Sequence, residues 1–367
     1  MPNNKFINQV EPWIGEEEKK AMAEYLGSGG WLTEFEKTKE FEEMIANFTG
    51  SKHAVAVNNG TVSLVVSLMA LGIKRGDEVI VPDYTMIASS NAVVLAGASP
   101  VFVDIDSGNL CLDFEKTKEA ISKKTKAVML VTINGRYPKM EDFVELCREK
   151  NLLLIEDAAQ SLGSKYKGKH LGTFGQIGSF SFSPHKIITT GQGGALVTDS
   201  KELYQNILKV KDFGRTKSGV DYHETMGYNF KFTDLQAVIG IEQMKKIDFR
   251  VKRKKEIYKL YQDLLRDVKG IEFIETNLEN TAPWFIDILV EPEKRDKLAE
   301  FLKEKGIGTR PFYPAIHTQP PYSWVKREFN NSEEISKRGL WLPSSSFLKD
   351  EDIKYICNII KEFYHES

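Results

Sequence analysis

The chain of 367 residues is poor in cysteine and in net charge, and each shortage argues against a class of protein. Its cysteines, Cys111, Cys147 and Cys357, are odd in number and widely spaced, so the sequence indicates neither a disulfide framework nor a metal site. Lysine and arginine total 50 against 52 aspartates and glutamates, which leaves no long-range field for nucleic acid or an anionic membrane surface. We therefore expect neither of those partners.

Long apolar runs are also missing. No stretch approaches the roughly 20 apolar residues of a membrane-spanning helix. Residues 1–10 lack the basic and apolar regions of a secretory signal, so a cytoplasmic location is expected. The hydrophobic share of 41% and the charged share of 28% are typical of a soluble globular protein. The length indicates a large domain at residues 1–248 and a smaller C-terminal domain at 249–367.

Short apolar runs alternate with helix-length segments through the first 200 residues. Near-continuous apolar strands between helices are typical of a mostly parallel sheet covered on both faces, so the sequence predicts an α/β fold. About seven strands are expected, at 53–57, 78–81, 101–105, 127–133, 152–155, 177–182 and 195–198. A charged helix at 245–266 should lead into a smaller α+β domain with a strand at 284–290 and helices at 294–305 and 350–363.

One lysine, Lys186, stands between a serine-rich strand and a cluster of glycines in the segment GSFSFSPHKIITTGQGG at 178–194. A lysine desolvated in a cleft loses its proton more readily and becomes a nucleophile towards a carbonyl. Upstream, Asp157 ends a short apolar run, at the edge where open α/β sheets bind ligands. A lysine amine and a carboxylate for a pyridinium nitrogen are the groups that pyridoxal 5′-phosphate (PLP) needs most. The pair predicts a PLP enzyme.

The turn Asn58-Asn59-Gly60-Thr61 joins the first predicted strand to an apolar helix expected at 62–71. A strand, a glycine turn and a helix start direct unpaired backbone N–H groups and the positive end of the helix dipole towards an anion. This geometry suits the phosphate of the cofactor, although such a turn is common in proteins that bind no anion.

Taken in order, these motifs resemble the sugar-nucleotide aminotransferases of the DegT/DnrJ/EryC1/StrS family. The likeness runs from Gly30-Trp31-Leu32-Thr33 to Arg310-Pro311-Phe312-Tyr313-Pro314 and His317. It implies the type I, aspartate aminotransferase-like fold of PLP enzymes and a homodimer whose active sites are shared between subunits. The implied reaction is transamination of a 4-keto-6-deoxy nucleotide sugar by L-glutamate. The likeness is greatest to members that make GDP-perosamine from GDP-4-keto-6-deoxymannose, and surface polysaccharide synthesis is their usual setting.

The resemblance also implies roles for individual residues. Lys186 would be the catalytic residue that carries the cofactor. Asp157 would bind the pyridine nitrogen, and Gln160 the side of the ring that bears the hydroxyl. Met86 stands where an aromatic usually covers the ring, with Tyr84 as the alternative. The phosphate contacts would come from Gly60, Thr61, Ser181 and, across the subunit interface, Asn229.

At the substrate end, the resemblance implies contacts by Trp31, Arg310, Tyr313 and His317. Arginine suits a diphosphate or the carboxylate of the amino donor because it can bond both oxygens at once. The alternative is a proline-rich loop that only packs the smaller domain. Departures from the family pattern in the segment Thr132-Ile133-Asn134-Gly135-Arg136-Tyr137, at Gln192 and at Lys231 could alter the preferred substrate or donor.

Several other functions remain open at this point. Within the enzymes, they are a UDP- or dTDP-linked 4-keto sugar aminotransferase, a 3-keto sugar aminotransferase and a dehydratase. Relatives that act as dehydratases have histidine in place of the lysine, whereas here His185 precedes Lys186 without replacing it. A PLP-binding regulatory protein without turnover belongs to a different class, and it would have no need of a proton-transferring lysine.

Overall fold

The computed structural model describes residues 6–217 and 219–366. In these residues seven strands form one sheet, in the order β1-β9-β8-β5-β4-β2-β3. All neighbours in the sheet are parallel except β9, which is antiparallel to both β1 and β8. The predicted seven-stranded, mostly parallel sheet is confirmed. Its strands, with the small hairpin β6/β7, are β1 His53–Val57, β2 Glu78–Pro82, β3 Ser99–Val103, β4 Thr125–Val131, β5 Leu153–Asp157, β6 Lys165–Tyr166, β7 Lys169–His170, β8 Ile177–Ser181 and β9 Gly194–Thr198.

Helices cover both faces of this sheet. Side chains alternate along a strand, so Val79 packs in a cluster with Leu64, while Ile80 packs on the opposite face with Phe143. This double burial is the physical reason for the continuous apolar strands in the sequence. The helices are α1 Glu16–Gly27, α2 Glu36–Thr49, α3 Gly60–Ala70, α4 Ala88–Leu95, α5 Phe114–Glu119, α6 Met140–Lys150, α7 Lys201–Lys211, α8 Asp234–Met244 and α9 Ile247–Leu265.

The C-terminal part is built on a four-stranded antiparallel sheet with the order β10-β11-β13-β12. Its core joins Tyr258 of α9 to Ile288 of the sheet and to Ile356 of the last helix. The expected smaller α+β unit is therefore present. Its elements are β10 Ile271–Glu272, β11 Ile286–Val290, α10 Pro292–Glu304, β12 Arg310–Pro311, α11 Asn330–Arg338, β13 Gly339–Leu342 and α12 Asp350–Glu366.

Contacts cross the predicted domain boundary at residue 248 in both directions. Near the N-terminus, Ile7 forms a β-bridge with Ile307 of the C-terminal part. Conversely, Ile316 and Tyr322 pack in the cluster that contains Leu64 of α3. The division into 1–248 and 249–367 stays a prediction, and these contacts bind the two parts together.

Several predicted boundaries differ from the structure by about two residues, among them β3, which covers Ser99–Val103 instead of 101–105. Helix α3 begins at Gly60 because the Asn59 side chain accepts a hydrogen bond from the Val62 N–H at 2.9 Å and caps the helix earlier. Strand β4 ends at Val131 instead of 133, because a 3-10 turn follows in which Asn134 has a φ of 52°. The long helix begins at Ile247, and α8 precedes it as a separate helix.

The cysteines, the possible metal ligands and the helices bear on the disulfide-linked, metal-binding and membrane-spanning classes of protein. Cys111, Cys147 and Cys357 are buried free thiols. Within the part of the chain that the structure describes, no three histidine, cysteine or acidic side chains are grouped as metal ligands would be. Nor do those residues include a helix that is both long and apolar enough to cross a bilayer.

Candidate active site

Lys186 lies in the loop that connects β8 to β9. The base of this loop is closed by hydrogen bonds from the Phe182 N–H to the Gly193 carbonyl (2.8 Å) and from the Thr190 N–H to the Phe182 carbonyl (3.1 Å). A side chain at Gly193 would come within 2.3 Å of the Thr190 hydroxyl, so the close approach of the two ends of the loop requires glycine at this position. The loop therefore holds Lys186 above the carboxyl end of β8.

The amine of Lys186 lies in a desolvated environment. Burial lowers the pKa of Lys186 to about 7; the carboxylate of Asp157 opposes this shift, and the charge of Arg310 adds to it. Its Nζ is 3.8 Å from the centre of the Trp284 ring. A substantial fraction of this lysine is therefore the neutral amine near pH 7, which is the form that attacks a carbonyl and accepts protons.

Asp157 is the last residue of β5, which pairs with β8 in the sheet. It is buried, and burial raises the pKa of its carboxyl, while hydrogen bonds from Ser89 and from the Ala159 N–H act in the opposite direction. The Ser89 hydroxyl donates to Oδ2 at 2.7 Å. Among the described residues, no lysine, arginine or histidine nitrogen lies within 4.0 Å of this carboxylate. Its bonds to a hydroxyl and a backbone N–H leave it suited to a cationic N–H from a bound ring.

Gly60, Thr61 and Ser181 form the part of the site that fits a phosphate. Gly60 and Thr61 are the first two residues of α3, before the N–H of Val62 that Asn59 caps, and Gly60 lies close against Ser181 at the end of β8. A Cβ on Gly60 would be 2.7 Å from the Ser181 Cβ, so this cradle exists only with glycine there. A helix N-terminus with an adjacent hydroxyl is a suitable donor set for a phosphate group.

Gln160 is buried behind this edge of the sheet. Its Oε1 accepts a hydrogen bond from the Asn134 N–H at 2.7 Å. The Asn134 side chain, in turn, donates to the Phe285 carbonyl at 2.9 Å and accepts from the Phe285 N–H at 2.7 Å. Asn134, which lies in the segment that departs from the family pattern, thus links Gln160 to Phe285, the residue before β11 of the C-terminal sheet.

The two candidates for covering the cofactor ring differ in exposure. Tyr84 is 1% exposed, and its ring packs against Phe312 and Tyr313 at centroid distances of 5.9 and 6.3 Å. Met86 is 46% exposed at the end of the turn after β2. Met86 therefore has the free surface that a ring would contact, whereas Tyr84 is part of the aromatic core.

Two of the four predicted substrate residues, Arg310 and Tyr313, are coupled electrostatically to Lys186 or Asp157. The charge of Arg310 acts on Lys186, and its guanidinium lies 5.6 Å from the Tyr313 ring. Burial raises the pKa of Tyr313; Arg310 opposes this shift and Asp157 adds to it. Arg310 and Tyr313 are therefore electrostatic neighbours of Lys186 and Asp157.

The remaining predicted contacts lie at the surface or have other partners. Trp31 is two-thirds exposed and packs beside Phe35, and Asn229 is exposed on the bridge that it forms with Asp212. His317 contacts the large domain instead of open space. Its Nδ1 lies 2.7 Å from Oδ2 of Asp83, and its N–H donates to Oδ1 of that carboxylate at 2.9 Å.

Sequence reasoning missed Ser89, which bonds Asp157, and Trp284, which contacts Lys186. For Trp284 the sequence predicts only a place at the start of the strand 284–290. Neither residue belongs to a local motif, because each reaches the site from a distant part of the chain. The GWLT and RPFYP motifs were detectable because their residues are contiguous.

With this geometry described, comparison with known proteins identifies the class. The model of the DegT/DnrJ/EryC1/StrS aminotransferase family matches residues 12–361, so the chain belongs to that family and is a PLP-dependent sugar aminotransferase. Its cofactor is PLP.

Individual relatives narrow the comparison further. The chain is 39% identical to GDP-perosamine synthase of Escherichia coli O157:H7 over 364 residues, 99% of this chain and 100% of that protein. It is 38% identical to GDP-perosamine synthase of Vibrio cholerae over 365 residues, 98% of this chain and 100% of the other. The PLP form of a putative sugar aminotransferase from Streptococcus pneumoniae superposes with a TM-score of 0.92 at 26% identity and 99% coverage of both chains.

Proposed function

We propose that this protein transfers the amino group of L-glutamate to C4 of GDP-4-keto-6-deoxymannose and so makes GDP-perosamine. The observation that carries the aminotransferase chemistry is Lys186, a desolvated amine whose pKa is influenced by the charges of Asp157 and Arg310. The choice of a GDP sugar is supported by the two GDP-perosamine synthases, each similar over nearly its full length.

Different residues of the site would bind different parts of the cofactor. Bound PLP supplies an electron sink for the carbon that gains or loses a proton. In our proposal Asp157 holds the ring nitrogen in its charged form, Gln160 binds the hydroxyl side, and Met86 covers a face. Backbone and hydroxyl donors of Gly60, Thr61 and Ser181 hold the phosphate.

Lys186 performs the proton transfers in this proposal. As the neutral amine, its Nζ would accept the proton from the α-carbon of glutamate in the first half-reaction and pass it to the carbon of the cofactor that receives the amino group. In the second half-reaction it would take a proton from that carbon and deliver it to C4 of the sugar, so each half-reaction leaves Lys186 in its starting form. A pKa near 7 suits both directions, because the group then loses and gains a proton at similar cost. Two half-reactions that share one site predict ping-pong kinetics.

Arg310 and Tyr313 are proposed to orient the substrates. A guanidinium whose charge acts on Lys186 can bind the glutamate carboxylate or the diphosphate of the sugar nucleotide at both oxygens. Trp31 is exposed and can contact the sugar nucleotide from the side of the entrance. His317 contacts Asp83 through Nδ1 and lies 3.5 Å from Oε1 of Glu333 through Nε2, so we propose that a substrate contact by this residue displaces Glu333.

The proposed functional unit is a homodimer. Asn229 is exposed, and it would reach the phosphate in the site of a second copy of this chain. The segment around it also exposes large apolar side chains, which a second copy would cover. These are Phe213, Val220, Tyr222, Met226 and Tyr228.

A substrate panel tests the proposal. The protein is incubated with L-glutamate and with GDP-, UDP- or dTDP-linked 4-keto-6-deoxy sugars, and 2-oxoglutarate and the amino sugar are quantified. We expect turnover of the GDP sugar to exceed that of the others by about tenfold or more. Faster turnover of a UDP or dTDP sugar would assign a different substrate, and no 2-oxoglutarate from any sugar would refute the proposed reaction.

A further inference from the structure

The backbone on both sides of Lys186 is anchored by two residues from the C-terminal third of the chain. The indole Nε1–H of Trp284 donates to the His185 carbonyl at 2.7 Å. On the other side, Nη1 of Arg250 on α9 donates to the Ile187 carbonyl at 3.1 Å. The peptide group before Lys186 and the one after Ile187 are therefore held by side chains that lie 99 and 63 positions away in the chain from His185 and Ile187.

Trp284 also contacts the amine itself. Lys186 Nζ lies 3.8 Å from the centre of the indole, within the distance at which a ring face attracts a cation. Fixed surroundings hold the indole in place: it is 4% exposed, and it stacks on Phe285 with a centroid distance of 3.7 Å. Its backbone carbonyl accepts a hydrogen bond from the buried Lys254 at 2.7 Å. The ring therefore presents a fixed face to Lys186.

The electrostatic effect of this face opposes that of burial. Desolvation and the nearby Arg310 favour the neutral amine, whereas the electron-rich ring favours the ammonium form. A lysine that transfers protons has to exist in both forms during one cycle. A fixed aromatic face beside Nζ meets this need without placing a second carboxylate in the site.

We propose that Trp284 is the positioning residue of Lys186: its N–H fixes the backbone at His185, and its ring face holds the amine whenever that amine carries no bond to the cofactor. The role at the cofactor rests on the proposed function of Lys186. The contact between indole and amine exists in the chain alone, so it can be tested without cofactor.

Fluorinated tryptophans test the ring face without changing its shape. Full-length protein freed of cofactor is prepared with tryptophans carrying one to three fluorines, which progressively weaken the attraction for a cation. The protonation midpoint of Lys186 is read from acylation of its peptide at a series of pH values, by mass spectrometry. We expect the midpoint to fall stepwise from near 7, by up to about one pH unit in total.

Trp284→Phe supplies the control for this series. The protein has five tryptophans, and in this variant the other four still carry fluorine. Fluorination should therefore leave the Lys186 midpoint unchanged in Trp284→Phe. An unchanged midpoint in the wild-type series, or an equal fall in the variant, would overturn the proposed contact.

The hydrogen bond to His185 is tested by separating binding from reaction at Lys186. Pyridoxamine phosphate cannot react with Lys186, so its affinity reports the rest of the cofactor site. For Trp284→Phe we expect that affinity to stay within about threefold, while the rate at which PLP develops its absorption band falls about tenfold, the factor that one net hydrogen bond supplies. Trp341→Phe makes the same side-chain change in the same aromatic cluster and should alter neither value.

The outcomes separate the two proposals. If Trp284→Phe lowers the affinity for pyridoxamine phosphate by the same factor as the rate with PLP, Trp284 acts through packing alone. If Trp341→Phe lowers the rate with PLP as much as Trp284→Phe does, the same conclusion follows. Either result would overturn the positioning role. If wild-type protein binds neither form of the cofactor, the proposed function fails. The fluorination series in cofactor-free protein would still decide whether Trp284 holds the amine of Lys186.

Discussion

Replacing Asp287 with alanine is expected to leave a buried guanidinium without its counter-charge. Asp287 on β11 binds Arg136 through both oxygens, with Nη1 to Oδ2 at 2.7 Å and Nη2 to Oδ1 at 2.6 Å. The two side chains are 1% and 2% exposed. The pair joins the C-terminal sheet to the turn after β4, where Asn134 also donates to Asp287 at 2.7 Å.

The size of the effect follows from that burial. Removing one partner of a buried ion pair costs about 3 to 5 kcal/mol, because the remaining charge has lost its counter-ion and stays out of water. The total free energy of unfolding of a domain is about 5 to 15 kcal/mol, so Asp287→Ala removes a large share. Replacing both charges by apolar groups, as in Arg136→Met with Asp287→Leu, removes the unpaired charge and should restore most of the loss.

Urea unfolding, followed by tryptophan fluorescence and circular dichroism, measures these changes. We expect Asp287→Ala to lose about 4 kcal/mol and the double variant to stay within about 2 kcal/mol of wild type. The control is Glu145→Ala, which breaks a solvent-exposed pair with Arg148 and should leave the unfolding midpoint close to that of the wild type. A loss below about 1 kcal/mol in Asp287→Ala, or a double variant as unstable as the single one, would refute the reasoning.

Two further predictions concern a buried lysine and a glycine. Burial lowers the pKa of Lys254 to about 7 from 10.5, so between these values the unfolded chain binds more protons and stability rises with pH. Lys254→Met should reduce that rise by about 1.4 kcal/mol per pH unit in urea unfolding between pH 7 and 10, and an unchanged slope would contradict the burial of a neutral amine. Gly60→Ala would place a methyl group 2.7 Å from the Ser181 Cβ and should weaken PLP binding about tenfold in a spectroscopic titration. Gly27→Ala, where nothing lies within 4 Å, should bind PLP normally, and equal affinities in both variants would contradict the role of Gly60.

The sheet could be predicted from the sequence because its signals are local. Each strand is a short apolar run bounded by polar residues, and burial on both faces makes that run nearly continuous. The helix that begins at Gly60 started earlier than predicted because a single capping side chain decides such a boundary. Local signals therefore located the elements, and capping and turn geometry set their ends.

The site was predictable only where its residues are contiguous or end a strand. Lys186 and Asp157 stand next to clear strand signals, and the structure places them close enough for the charge of one to shift the pKa of the other. Trp284 and Ser89 contact those two residues from 98 and 68 positions away in the chain, which no local pattern encodes. The contact of His317 with Asp83 was not anticipated for the same reason, since it spans 234 positions.

In the proposed function, Lys186 is the residue that bonds PLP. The direct measurement is borohydride reduction of the PLP-loaded protein, which fixes the cofactor on its lysine, followed by peptide mass spectrometry. We expect a phosphopyridoxyl group on the peptide that contains Lys186, and on no lysine of the Lys186→Ala variant. Lys254 is an internal comparison, because burial lowers its pKa to about 7 as well. Label on Lys254 or on another lysine, with Lys186 unmodified, would contradict the account.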